Sequence, residues 1–171
     1  MPDYMRLPIG DHCPERVNVV VEIPRGSVNK YEYDKKLHVF RLDRTLFSPV
    51  HYPGDYGFIP CTLGLDGDPL DVLVAVGAPS FPGCLMEVRP IGVLSMLDQG
   101  QGDEKIVAVV DNDPLYRNIH DIDQVYEHTL RGIEHFFSVY KALENKKTEM
   151  AGWGNAEAAR KIISEGVARF K

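Results

Sequence analysis

The sequence Asp66-Gly67-Asp68-Pro69-Leu70-Asp71-Val72-Leu73-Val74-Ala75-Val76 runs from an acidic, glycine-containing turn directly into an apolar segment. A short apolar run bounded by turn signals is typical of a buried strand. Similar runs lie on both sides of it, and the predicted strands are Val17 to Ile23, Leu37 to Leu42, Val72 to Val76, Leu85 to Met96 and Lys105 to Asp111. The first two thirds of the chain is therefore predicted to be mainly β-structure.

One segment between these runs is rich in residues that break regular structure. Residues 48–57, Ser-Pro-Val-His-Tyr-Pro-Gly-Asp-Tyr-Gly, contain two prolines and two glycines. We predict an ordered loop there, with aromatic side chains available to line a site.

The last third of the chain changes to a helical period. Aromatic and apolar residues recur there at spacings of four, three, four and three, on one face of a predicted helix: Tyr126, Leu130, Ile133, Phe137 and Tyr140. Asp123 is expected to cap this helix, and a second helix is predicted to start after Asn155 as its N-cap. Strands followed by two helices predict an α+β fold, most simply a small barrel with helices packed against it.

The composition is that of one folded domain. The 171 residues fit a single domain covering residues 1–171, and 44% hydrophobic with 26% charged residues is ordinary for a globular protein. The 19 basic and 25 acidic residues give a formal net charge of −6, which repels a phosphodiester backbone. A general nucleic-acid binder is therefore disfavoured, whereas a small polyanion could bind where cations are concentrated.

The cysteines and the hydropathy pattern predict a cytoplasmic location. Cys13, Cys61 and Cys84 are far apart and form no C-x-x-C pair, which argues against a disulfide framework or a zinc ribbon. The first fifteen residues include charges and prolines where a signal peptide needs an apolar stretch. No apolar run approaches the roughly 20 residues that span a bilayer, so no membrane role is expected.

Three carboxylates lie within six residues of the opening segment, at Asp66, Asp68 and Asp71. Held close together, they repel one another unless cations lie between them. Spacing alone leaves a solvated turn and a metal site equally open, because Asp-Gly is a common turn dipeptide. An EF-hand is excluded, since Gly77 stands at the twelfth position where a glutamate is needed. Oxygen ligands without His or Cys suit magnesium better than zinc.

A second acidic segment follows, Asp98-Gln99-Gly100-Gln101-Gly102-Asp103-Glu104-Lys105, between two predicted strands. By itself it resembles an ordinary polar hairpin loop. If both acidic segments project from the same end of a barrel, their carboxylates converge and can hold more than one divalent ion.

Basic groups in short polar segments could complete a polyanion site, since Arg offers a fork and Lys a point charge to phosphate oxygens. These groups are Lys30, Arg44, Lys105 and Lys141. Taken singly, each of these basic residues is more typical of a solvated side chain, and Tyr140, on the apolar stripe of its helix, is typical of a core aromatic.

In this order the segments resemble those of family I soluble inorganic pyrophosphatases of the bacterial type. The hexapeptide Asp66 to Asp71 follows a pattern specific to that family, and six further elements match it in order between about Val17 and Phe170. They are Val20-Val21-Glu22-Ile23-Pro24, Lys30-Tyr31-Glu32-Tyr33-Asp34, Asp43-Arg44, Tyr52-Pro53-Gly54-Asp55-Tyr56-Gly57, Asp98 to Lys105, and His135-Phe136-Phe137 ahead of Tyr140-Lys141.

The resemblance implies a distorted five-stranded, OB-like β-barrel with two flanking C-terminal helices. It also implies that the chain hydrolyses inorganic pyrophosphate to two phosphates, by in-line attack of a metal-activated water at a site with several Mg²⁺ ions. In bacterial relatives the first of these helices contributes to a homohexamer, and we expect that assembly here, with His135 at the contact.

The resemblance also implies a role for each site residue. The expected metal-binding acids are Asp66, Asp71, Asp98, Asp103, Glu32 and Glu22, the last acting through waters of the metal cluster. The expected phosphate contacts are Lys30, Arg44, Tyr56, Lys105, Tyr140 and Lys141. Asp68 is the expected partner of the attacking water. Gln99 stands where many bacterial members have a second acid, and it is expected to affect metal affinity at Asp98 rather than the reaction.

Two other classes of function fit the chain less well. A barrel that binds oligonucleotides would need basic and aromatic residues interleaved on its strands, whereas this chain has clustered aspartates and a net negative charge. A calcium-binding or structural module could use the same carboxylates. In such a module Lys30, Arg44 and Lys141 would have no function.

Overall fold

The computed structural model describes residues 2–171, which form eight strands, two α-helices and four short 3₁₀ turns. The strands are β1 (Val17–Ile23), β2 (Asn29–Asp34), β3 (Val39–Thr45), β4 (Asp55–Ile59), β5 (Leu70–Ala75), β6 (Leu85–Asp98), β7 (Gln101–Val110) and β8 (Thr148–Asn155). The helices are α1 (Glu127–Val139) and α2 (Ala156–Phe170). The 3₁₀ turns are Tyr4–Arg6, Pro114–Tyr116, Ile122–Gln124 and Ala142–Glu144.

Five strands close into a ring, in the order β1-β4-β5-β7-β6 with β6 pairing back to β1. Neighbours in the ring are antiparallel, except that β5 and β7 are parallel. β8 pairs with β6 outside the ring, and β2 and β3 form a separate hairpin. The α+β fold predicted from the sequence, five strands with two C-terminal helices, is confirmed. Among the described residues, no helix is long and apolar enough to cross a membrane.

The two helices cover opposite faces of β5. Val72 belongs to the buried cluster that includes Ile163 of α2, whereas Leu73 belongs to the one that includes Phe137 of α1. Neighbouring residues of a strand face opposite sides, so one strand supplies both clusters. Each side chain of this size contributes roughly 1.5–3 kcal/mol when fully buried. The acidic turn that precedes β5 is therefore anchored on both faces.

The ends of the helices differ in part from the prediction. Asn155 caps α2 as predicted, since its side-chain oxygen accepts a hydrogen bond from the Ala158 N–H at 2.9 Å. The prediction that Asp123 caps α1 is wrong, because Asp123 lies in a preceding 3₁₀ turn and extended Val125 separates that turn from the helix. Tyr126 is 84% exposed, so the buried stripe begins after it.

The prediction of a loop at residues 48–57 is also wrong for its last residues, because Asp55–Ile59 form β4. All five residues of β4 are buried. The strand passes so close to β1 that a Cβ atom on Gly57 would lie 1.9 Å from the carbonyl oxygen of Val20. Here a glycine allows two strands to pack closely, although a segment rich in glycine and proline predicted a loop. β2 and β8 were not predicted.

Gly57→Ala is expected to lower the free energy of unfolding by about 3 kcal/mol or more, because the new methyl group overlaps the β1 backbone. Gly132→Ala is the matched control, since Gly132 lies in α1 and a methyl group added there would have no atom within 4 Å outside its own helix turn. That change is expected to stabilise the protein by roughly 0.5–1 kcal/mol. Urea denaturation measures both, and an unchanged midpoint for Gly57→Ala would contradict this close packing of β4 on β1.

Candidate active site

A cleft of about 310 Å³ lies between the β2–β3 hairpin and the mouth of the ring. Eleven of the thirteen site residues predicted from the sequence line it: Glu22, Lys30, Glu32, Tyr56, Asp66, Asp68, Asp71, Asp103, Lys105, Tyr140 and Lys141. The other two, Arg44 and Asp98, lie at its border. The structure therefore brings together segments that are more than 100 residues apart in the sequence.

A buried lysine occupies the centre of the cleft. The parallel pairing of β5 with β7 places Asp71 opposite Lys105. The Lys105 ammonium is 2.7 Å from Asp71 Oδ2 and 3.0 Å from Asp103 Oδ2, and it donates a hydrogen bond to the Tyr56 hydroxyl at 2.8 Å. Only 4% of the Lys105 side chain is exposed. The ammonium thus separates two carboxylates that would otherwise repel each other.

Charge keeps this lysine protonated despite its burial. Burial acts to lower the pKa of Lys105, but Asp71, Tyr56 and Asp103 outweigh it and hold that pKa well above its ordinary value. Burial raises the pKa of Asp103 in spite of the lysine, and Asp71 adds to the increase. Lys105 alone therefore does not offset the effects of burial and of Asp71 on Asp103.

Glu22 of β1 lies at the base of the cleft. Protein surrounds it on most sides, and burial raises its pKa to about 8, with smaller contributions from the charges of Asp71 and Glu32. A hydrogen bond from the Tyr33 N–H, at 2.9 Å, opposes this increase. In the absence of a cation, Glu22 is therefore mostly protonated at neutral pH.

The β2–β3 hairpin supplies one wall of the cleft. The Lys30 ammonium pairs with Glu32 on the same strand and lies 3.3 Å from Asp43 on β3. Asp43 in turn lies 2.6 Å from Nη1 of Arg44. Arg44 therefore lies beside Lys30, its partner in the β2–β3 register, but is not among the residues that line the cleft.

The two acidic segments meet, as the sequence predicted. An adjoining pocket of about 410 Å³ is lined by Asp98 and Gln99 and shares Asp66 and Asp103 with the main cleft. Lys141 lies 2.5 Å from Asp98 Oδ2. The other oxygen, Oδ1, is buried and has no hydrogen-bond partner within residues 2–171.

These side chains fit magnesium by their chemistry. The donors are carboxylate oxygens, the hard ligands that Mg²⁺ prefers, and the unpaired Asp98 Oδ1 leaves one of them free to bind a cation. Across the part of the chain that the structure describes, no three His, Cys, Asp or Glu side chains converge into a preformed metal site. Lys105 and Lys141 lie against the carboxylates in this structure.

The Asp68 side chain is 65% exposed, and Asp66 and Glu32 are also exposed acids of the cleft. The Asp68 carboxylate lies 2.6 Å from the ammonium of Lys35, which is in the turn between β2 and β3. Lys35 and Tyr52 line the cleft as well, although neither was among the predicted site residues. Tyr52 could have been found from its place in the Tyr52-to-Gly57 element, whereas Lys35 has the sequence context of an ordinary solvated lysine.

Comparison with known proteins gives one consistent result. A family model described as inorganic pyrophosphatase matches residues 19–171. The inorganic pyrophosphatase of Halalkalibacterium halodurans is 51% identical over 92% of this chain and 97% of its own length. That of Methanosarcina mazei is 52% identical over 89% of this chain and 90% of its own.

Solved structures agree with the sequence comparison. The crystal structure of inorganic pyrophosphatase from Thermus thermophilus superposes with a TM-score of 0.97, at 46% identity, and covers 99% of both chains. The structure from Coxiella burnetii gives a TM-score of 0.92 at 41% identity, and covers 96% of this chain and all of the other.

Lys105→Met keeps the length of the side chain but removes the charge between Asp71 and Asp103. With a chelator present, we expect the free energy of unfolding to fall by about 2 kcal/mol, less than for a fully buried pair because both carboxylates keep some solvent contact. Added Mg²⁺ should recover part of this loss. Lys147→Met is the control, since Lys147 is 81% exposed in its pair with Glu149. Equal unfolding midpoints for the two variants would contradict the central role of Lys105.

Proposed function

The chain belongs to the inorganic pyrophosphatase family and hydrolyses inorganic pyrophosphate to phosphate, and we propose that it does so in this cleft with several Mg²⁺ ions. The observation that supports this location most strongly is the meeting of both acidic segments around the buried Lys105. Carboxylates to hold cations and fixed cations to hold phosphate are the two requirements of a phosphoryl-transfer site.

The acids of the cleft would bind the metal. We assign this role to Asp66, Asp71, Asp98, Asp103, Glu32 and Glu22, the last acting through water. When bound, Mg²⁺ supplies positive charge to the phosphate oxygens and makes water a better nucleophile. Burial and the repulsion between these acids, which together raise the pKa of Glu22, favour the binding of cations among them.

The basic and hydroxyl groups would hold the substrate. We assign this role to Lys30, Arg44, Tyr56, Lys105, Tyr140 and Lys141. Burial raises the pKa values of Tyr56 and Tyr140, so both hydroxyls stay protonated and can donate hydrogen bonds to phosphate oxygens. Lys105 is fixed in place by three neighbours and needs little reorganisation to stabilise developing charge.

Asp68 would accept or orient the proton of the attacking water. Its exposed carboxylate can contact water directly, and it lies 2.6 Å from the Lys35 ammonium. It also projects into the same cleft as Lys105 and the metal-binding acids. Water attacks one phosphorus in line with the leaving phosphate, so no covalent phosphoenzyme is needed.

We also propose a cytoplasmic location and a homohexamer. The three cysteines are unpaired, which agrees with a reducing compartment. His135 is exposed on α1 and is therefore available for a contact between subunits. Light scattering of the purified protein tests the assembly.

The first functional test is phosphate release from pyrophosphate. We expect turnover with Mg²⁺ in excess and none with a chelator in excess, because the acids need cations to hold the substrate. The same assay with tripolyphosphate and ATP measures specificity. The absence of phosphate release from pyrophosphate with saturating Mg²⁺ would refute the proposal.

The second test is Asp68→Asn, which keeps the shape of the side chain but removes the proton acceptor. We expect kcat to fall by roughly 10²–10³-fold, the usual contribution of a positioned acid or base, with folding and Mg²⁺ binding unchanged. Asp123→Asn, an exposed aspartate outside the cleft, is the matched control. A near wild-type rate for Asp68→Asn would remove this residue from its role.

A further inference from the structure

Arg44, the arginine at the border of the cleft, is paired with a glutamate from the C-terminal part of the chain. Glu144 lies in the 3₁₀ turn Ala142–Glu144, directly after Tyr140 and Lys141. Its Oε1 is 2.7 Å from Nε of Arg44 on β3. The Nε–H does not point at this oxygen, so the contact is an ion pair without an aligned hydrogen bond.

The pair is largely shielded from solvent, although 21% of the Arg44 side chain remains exposed. Charged side chains are rarely shielded to this degree unless they are paired. Only 6% of the Glu144 side chain is exposed. Glu144 Oε2 and Arg44 Nη2 are also buried, and neither has a hydrogen-bond partner among the described residues. Two charges removed from water with incomplete hydrogen bonding add little to stability. A role in placing the guanidinium explains the arrangement better.

The pair joins two parts of the chain that contain residues assigned to phosphate binding. Arg44 belongs to the hairpin wall and is linked through Asp43 to Lys30. Glu144 is three residues from Lys141, which also lines the cleft. Four residues after Arg44, the Ser48 hydroxyl donates a hydrogen bond at 3.1 Å to the carbonyl of Val139, the last residue of α1. The chain from Arg44 to Ser48 is thus joined both to the end of α1 and to the 3₁₀ turn that follows it.

We propose that Glu144 is a positioning residue for pyrophosphate. It holds Arg44 against the segment that carries Tyr140 and Lys141, and so sets the distance between two groups of phosphate-contacting side chains. This inference rests on the proposed function, through the role given to Arg44. A purely structural glutamate would affect folding but would leave substrate affinity unchanged in the folded enzyme.

Glu144→Gln removes the charge and keeps the size of the side chain. We expect kcat/KM for pyrophosphate to fall about tenfold, mainly through KM, because a misplaced arginine weakens binding of the substrate and the transition state alike. Glu127→Gln is the matched control, since Glu127 forms an exposed pair with Arg131 at 2.8 Å. It should stay within about twofold of the wild type. A Glu144→Gln enzyme within twofold of the wild type would overturn the proposal.

A double-mutant cycle tests whether Glu144 acts through Arg44. Arg44→Lys removes the planar fork, so Glu144→Gln should add less than about twofold to the loss in that background. The same tenfold loss in both backgrounds would mean that Glu144 acts independently of Arg44, and would overturn the proposal. If Glu144→Gln does not fold, Glu144→Asp replaces it in both backgrounds, with a smaller increase in KM expected because the charge is kept.

Binding of methylenediphosphonate, a non-hydrolysable analogue, separates this inference from the proposed function. Titration calorimetry with excess Mg²⁺ should show about tenfold weaker binding for Glu144→Gln, the binding counterpart of the KM change. If the wild type binds the analogue but does not hydrolyse pyrophosphate, the proposed function is refuted. The comparison of the two proteins then still tests whether Glu144 supports binding. A wild type that fails to bind the analogue, or equal binding by both proteins, would overturn the inference.

Discussion

Like charges at close range are the constraint on which the rest of this structure depends. The turn before β5 and the hairpin between β6 and β7 bring aspartates to one cleft, and Asp71 and Asp103 lie within 3.0 Å of the same ammonium. Such an arrangement is stable only if positive charge is placed among the acids. Lys105 supplies that charge from inside the fold, and Lys141 supplies it at Asp98. Both lysines are also among the groups that we propose to contact phosphate, so under that proposal one arrangement would serve both folding and substrate binding.

The ring of strands fixes these charges in space. β4, β5 and β7 are neighbours, which places Tyr56, Asp71 and Lys105 on adjacent strands. α1 and α2 cover opposite faces of β5, so the acidic turn before it is held by buried side chains on both sides. The hairpin β2–β3 is outside this ring, and it is held by ion pairs, by the hydrogen bond of the Tyr33 N–H with Glu22, and by the packing of Tyr33 against Val20 and Phe58. One wall of the cleft is thus part of the ring, and the other is attached to it by polar and apolar contacts.

Much of the fold could be predicted from the sequence, because the local pattern of apolar, polar and turn-forming residues reflects the local secondary structure. The apolar runs located five strands, the helical period located α1, and Asn155 was identified correctly as a cap. β4 was missed because glycine and proline signal breaks, and only the close passage of β1 explains why Gly57 is needed inside a strand. Asp68 could be selected by its motif, whereas Glu144 could not, because its partner Arg44 is 100 residues away and no spacing rule connects them. Contacts between distant segments are decided by tertiary packing, which a single sequence does not display.

The parallel pairing of β5 with β7 has a consequence for how the protein acquires its activity. In the chain, all of β6 lies between these two strands. Asp71 and Lys105 can therefore pair only after a long loop has closed. Closing such a loop costs conformational entropy before any contact compensates for it, and topologies of this kind fold slowly. A nascent or partly folded chain therefore has the acidic turn without the lysine that neutralises it. Such a chain lacks the pairing of Asp71 with Lys105 that the folded protein has at this cleft.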